Sequence, residues 1–154
     1  MLLYSSKERT MRCAVTLLLI AMPLLAQETK SDLDKLQGHW VMVESTRDGK
    51  KLPGQVKIER TIEGNNYTVT VKSDEGEQVL SGTLKIDPTK QPKTIDATRT
   101  EGPDADKAMF GIYELEGNRQ KVCFAPVGKN RPTQFVSKAG TGHVLTIWQK
   151  EPNR

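Results

Sequence analysis

Cysteine, histidine and aromatic residues are scarce, with two cysteines, two histidines and 5% aromatics in 154 residues. Cys13 falls inside the one long apolar run, so removal of that run leaves Cys123 alone and no intramolecular disulfide can hold the fold. His39 and His143 have no neighbour at metal-ligand spacing. With no His-x-x-x-His, no Cys-x-x-Cys and no acidic loop of ligand periodicity, neither a metal nor a cofactor is expected. Catalytic pairings are equally thin. Cys123 and His143 would make a thiol and its base only if their strands met, and a cysteine between Val122 and Phe124 reads as a core residue. Asp87 precedes a proline, as turn residues do, which leaves Asp96 without the second carboxylate that glycoside hydrolysis needs. The chain is expected not to be an enzyme.

The apolar run spans residues 13–26 and follows Arg12, the order of a secretory signal peptide: a positive n-region, a hydrophobic stretch from Ala14 to Leu25, and small Ala26 at the cleavage point. Translation from Met1 or from Met11 gives the same pattern. The run is shorter than the roughly 20 apolar residues needed to span a bilayer, and it contains Pro23, so no stable transmembrane anchor is expected. The chain divides into a removed signal peptide, 1–26, and a single domain, 27–154, exported to the periplasm or the extracellular space. Of the 23 basic and 19 acidic residues, the signal segment takes Lys7, Arg9, Arg12 and Glu8, leaving 20 and 18, a net charge of +2. That balance excludes the basic face of a nucleic-acid binder.

Helical periodicity is confined to one short stretch. Ser31 can cap a helix whose first turn holds Asp32 and Asp34 and whose apolar positions are Leu33 and Leu36. Beyond it the apolar residues alternate with polar ones. Val56, Ile58 and Ile62 share a face, and Arg60 falls in the same register, pointing into a cavity or lying near its mouth. Tyr67, Val69 and Val71 share another, as do Leu80, Gly82, Leu84 and Ile86. Turn residues separate the runs: Asp48-Gly49, Gly64-Asn65, Asp74-Glu75-Gly76 and Gly117-Asn118. Pro88 and Pro92 require a loop between Asp87 and Lys93. About eight antiparallel strands result, the pattern of an up-and-down barrel or a sandwich. Gly38-His39-Trp40 stands at the helix-to-strand junction, where glycine allows close packing and the indole can plug one end of a barrel.

Leu36-Gln37-Gly38-His39-Trp40, the run Asp87 to Lys93 with Ile95-Asp96, Gly111-Ile112-Tyr113-Glu114-Leu115, and Arg131-Pro132-Thr133 with Phe135 together resemble a family of small, usually exported, lipocalin-like domains of unknown function abundant in planctomycete bacteria. The resemblance implies an all-β, lipocalin-like (calycin) barrel of about eight strands with the short N-terminal helix closing one end. It implies envelope or extracellular residence and no assigned activity. In lipocalins a basic side chain near the last strand stacks on the plugging tryptophan, and Lys150 is the nearest match. Gly38, Trp40 and Lys150 are thus the expected structural residues.

Candidate ligand-binding residues are Arg60, Tyr67, Asp96, Tyr113 and Arg131, polar groups that a barrel could turn toward a ligand among apolar walls. For Asp96 and Arg131 two readings stand open. They form either a salt bridge pinning the Gly128–Pro132 loop against the strand of Asp96, or a polar anchor inside the barrel or at its mouth. The open end is expected among residues 47–54, 73–77, 101–107 and 127–133. The expected function is binding of a small apolar or amphipathic ligand in the barrel; the alternative is a non-catalytic cell-envelope interaction or structural module with a filled barrel.

Overall fold

The computed structural model describes residues 31–53 and 56–152; the proposed signal peptide and its cleavage point lie outside the described residues. One helix, α1 (Asp32–Leu36), is followed by nine strands: β1 (Gly38–Arg47), β2 (Lys50–Lys51), β3 (Lys57–Glu63), β4 (Asn66–Ser73), β5 (Gly76–Asp87), β6 (Thr94–Arg99), β7 (Ala108–Glu116), β8 (Arg119–Phe124) and β9 (Val144–Lys150). From β3 to β9 each strand pairs antiparallel with the next. The last strand returns to the first, from Trp40 opposite Lys150 to Arg47 opposite Val144, so eight strands close a barrel with no free edge. The two-residue β2 is a flap on the far end of β1, reached through Asp48 and Gly49, both at positive φ as a tight two-residue hairpin requires.

Alternation decides what faces inward. Trp40, Ile62, Tyr67, Leu84, Ile95, Ala97, Tyr113, Val122 and Trp148 form one buried cluster, with Leu36 of α1 joining it from the end. Full burial of each such large apolar side chain contributes about 1.5–3 kcal/mol. A β-bulge between Met42 and Glu44 interrupts the β1–β9 register and leaves Val43 exposed.

The helix closes the end at which β1 begins and β9 finishes. A capping box holds its start: Ser31 Oγ accepts from the Asp34 amide at 3.2 Å while the Asp34 carboxylate accepts from the Ser31 amide at 3.1 Å. Trp40 is fully buried beneath it, and its Nε1 donates to the Leu36 carbonyl at 2.8 Å. Lys150 Nζ lies 5.5 Å from the centre of the Trp40 ring and donates to the Lys35 carbonyl at 2.9 Å, tying β9 to the helix. Asp32, buried, accepts from Lys93 at 2.7 Å, Tyr113 Oη at 2.9 Å and Lys35 at 3.3 Å. Burial alone would raise the Asp32 pKa, but these three donors together hold it below the ordinary carboxylate value. Burial first, and then the bond to Asp32, raise the Tyr113 hydroxyl above its usual range.

A second, smaller core lies outside the barrel wall. Ile112 and Cys123 point away from the lumen, out of phase with Tyr113 and Val122, yet are 1% and 0% exposed. The long β8–β9 connection covers them: Pro132 is buried there, and the Cys123 thiol donates to the Val136 carbonyl at 3.6 Å. Burial pushes the Cys123 thiol up, disfavouring the nucleophilic thiolate. Among the described residues no helix is long and apolar enough to cross a membrane.

Candidate functional site

The lumen between the Trp40 plug and the opposite mouth holds a cavity of about 170 Å³. Its deeper wall is formed by Arg60, Tyr67, Val122, Thr146 and Trp148, and its outer wall by Leu80, Arg99, Met109 and Phe124. Two inward positions carry no side chain, Gly82 and Gly111. A Cβ at Gly82 would stand 2.2 Å from the Thr98 carbonyl and 2.6 Å from Tyr67 Oη; at Gly111 it would stand 2.5 Å from the Phe124 ring. Both aromatic rings therefore lie back against glycine in the wall, and space is left along the axis.

Arg60 sits opposite Trp40 in the β1–β3 register and is 5% exposed. Its guanidinium carbon is 4.3 Å from the centre of the Trp148 ring and 5.7 Å from that of Trp40, and its Nη2 donates to Gln120 Oε1. The two indole faces supply cation–π attraction, worth about 2 kcal/mol in a desolvated setting. Among the described residues no carboxylate pairs with it. Burial lowers its pKa to about 9, because a cation without a counter-charge is disfavoured in an apolar interior. Three buried donors in this layer lack a protein acceptor: Arg60 Nε, Gln120 Nε2 and Trp148 Nε1. Trp148 and Gln120 are directly paired between β8 and β9; Arg60 and Trp148 line the cavity, whereas Gln120 is fully buried behind it.

The five candidate ligand residues do not converge. Arg60 and Tyr67 share the lumen cavity. Tyr113 also points inward, but its hydroxyl is committed to Asp32 at the closed end. Asp96 and Arg131 lie on the outer face, away from both. Asp96 alternates with inward Ile95 and Ala97, and the β8–β9 connection turns back along the outside of β6 and β7, carrying Arg131 away from the mouth where the order of connections would put it. There Arg131 Nη1 donates to the carbonyls of Ile95 at 3.2 Å and Gly111 at 2.6 Å, and lies 2.6 Å from Asp96 Oδ1. Both hydrogens of that nitrogen are aimed at the carbonyls, so the carboxylate contact is ionic without an aligned hydrogen bond. The guanidinium also covers the Phe110 ring at 5.2 Å. A shallow surface groove of about 550 Å³ adjoins the pair, with Lys85, Lys90 and Thr133 among its walls.

Gln120, Trp148 and Arg99 were not singled out by sequence reasoning. The signal was present for the first: Gln120 occupies the inward register of Val122 and Phe124, a second polar residue on an apolar face facing the Arg60 anomaly. The mouth carries further charge, with Arg47, Asp48, Arg99, Asp104 and Lys107 around one opening. Among the described residues no group of three or more His, Cys, Asp or Glu side chains is placed to hold a metal ion. Compared with known proteins, the chain matches no family model, no curated protein and no solved structure.

Proposed function

We propose that this chain is an exported, non-catalytic barrel that binds one small amphipathic molecule in its lumen. One observation carries the reading: an apolar cavity whose inner wall holds a buried guanidinium with no carboxylate partner. A barrel filled for stability alone would gain by replacing that cation with an apolar side chain, since an unpaired buried charge is costly. Retaining it is intelligible when a ligand supplies the missing acceptor. The likeness to the exported lipocalin-like domains supports the same direction, and export itself rests on Arg12 and the apolar run that follows it.

Native mass spectrometry of the protein purified from its own host tests the proposal. The expected spectrum shows one small-molecule adduct per chain, lost on unfolding, on a polypeptide beginning at Gln27. Protein that carries no adduct, and takes up none when incubated with an extract of host small molecules, overturns the binding reading. Residues 13–25 retained in a membrane fraction would show that the segment is an anchor and not a cleaved signal peptide.

A further inference from the structure

We infer that the lumen takes a small monocarboxylate, head first, with its carboxylate on Arg60 and its apolar body extending toward the mouth. This rests on the lumen-binding reading and adds the ligand's charge, orientation and size. The unmet groups of the inner layer are all donors: Arg60 Nε, Gln120 Nε2 and Trp148 Nε1. Tyr67, on the same deeper wall, adds a hydroxyl able to donate, and the remaining polar groups nearby are occupied or lie farther out. Thr146 Oγ1 is 3.4 Å from Ser45 Oγ, and Arg99 stands near the mouth. A ligand cation would face a buried cation, and a neutral hydroxyl would leave the charge unmatched. One guanidinium balances one negative charge, and its planar fork suits a carboxylate. A phosphate, with close to two charges, would bring a second charge into the apolar lumen without a partner.

Orientation follows from the walls. Toward the mouth the lining is Leu80, Met109 and Phe124, with Val69 directly opposite Arg60, suited to a hydrocarbon body. A ligand entering tail first would set methylene groups against the guanidinium and leave the carboxylate in water. Size follows from the volume. A cavity near 150 Å³ accommodates benzene, so about 170 Å³ takes a ligand of about six to eight non-hydrogen atoms. At the rim Arg47, Arg99 and Lys107 outnumber Asp48 and Asp104, a field that favours an approaching anion.

Titration calorimetry of the exported protein, stripped of small molecules, with hexanoate, 1-hexanol, hexylammonium and hexyl phosphate tests this. Hexanoate is expected to bind with one-to-one stoichiometry, about tenfold or more tighter than hexanol, with hexylammonium not binding. In Arg60→Met the preference for hexanoate over hexanol should disappear while hexanol binding persists. Arg60→Lys should keep part of the preference, and the wild-type comparison holds even if the methionine variant fails to fold. Equal binding of hexanoate and hexanol, tighter binding of hexyl phosphate, or a preference that survives in Arg60→Met overturns the inference and leaves the lumen reading intact. Binding of none of the four overturns the lumen reading with it.

Discussion

Trp40 and Trp148 are the only tryptophans in the chain, and both faces meet the same guanidinium. Trp40 is fully buried with its N–H on the Leu36 carbonyl, Lys150 over its ring and α1 across its outer side. Trp148 is 6% exposed, borders the cavity, and its N–H has no protein acceptor. The same contrast runs through their neighbours. At the closed end Asp32 gathers three donors, whereas around Trp148 the donors of Arg60 and Gln120 outnumber the acceptors. One region is complete as structure on its own. The other holds donors that the chain itself does not pair, and that difference, rather than the presence of polar residues inside a barrel, marks where binding should be sought.

The comparison breaks first at Trp40. If it is a finished structural plug, Trp40→Ala should cost about 3–5 kcal/mol, the range for truncating a buried aromatic, and urea unfolding should show a correspondingly lower midpoint or no folded protein. A midpoint close to that of the wild type would mean the closed end does not carry the fold.

A smaller effect is expected at Asp32, where the sign of the pH dependence is informative. Its pKa in the folded protein lies below the ordinary 3.8, so its contribution is fully present above that value and is lost as pH falls through the lowered folded value. Asp32→Asn keeps the shape but removes the charge that Lys93 and Lys35 meet. It should lower stability by about 1–3 kcal/mol at pH 7 and by progressively less as the pH is taken below 4, measured by urea unfolding across that range. A penalty that does not shrink in acid would show that the carboxylate charge is not what fastens α1.

Most of this architecture was legible in the sequence because a half-buried strand announces itself with period two. The faces of β3, β4 and β5 follow from Ile58 and Ile62, Tyr67 and Val69, and Leu80 and Leu84, and the turns follow from Asp48-Gly49, Gly64-Asn65 and Gly117-Asn118. Asp96 was expected to face a ligand, but it alternates with inward Ile95 and Ala97 and so lies outside the barrel, which period two applied to that strand would have told. What no periodicity encodes is the path of a long connection. The β8–β9 segment could have risen over the mouth, and instead it folds onto the wall, turning Arg131 into an outer clamp and hiding Ile112 and Cys123. Nor could local pattern reveal that Tyr113 would spend its hydroxyl on Asp32, a partner 81 positions away. Arg60 was conspicuous in the sequence, but its lack of a counter-ion emerges only when the facing strands are in place.

The smallest expected effect sharpens the comparison most. Trp40→Phe and Trp148→Phe remove the same atoms: an N–H and part of a ring. At Trp40 the substitution leaves the Leu36 carbonyl without its donor beneath the helix, a loss of about 1–3 kcal/mol beyond the lost ring contacts. At Trp148 the deleted N–H has no protein partner to leave behind, and the ring already borders open space, so removing it relieves a buried unmet donor while surrendering some contact with Arg60. The two terms oppose each other, and the net change in stability of the ligand-free protein should stay within about 1 kcal/mol. Urea unfolding of the two variants side by side measures the difference. If Trp148→Phe costs as much as Trp40→Phe, the indole of Trp148 is as much a structural member as the plug, and the inner layer of the lumen loses its claim to be waiting for an acceptor.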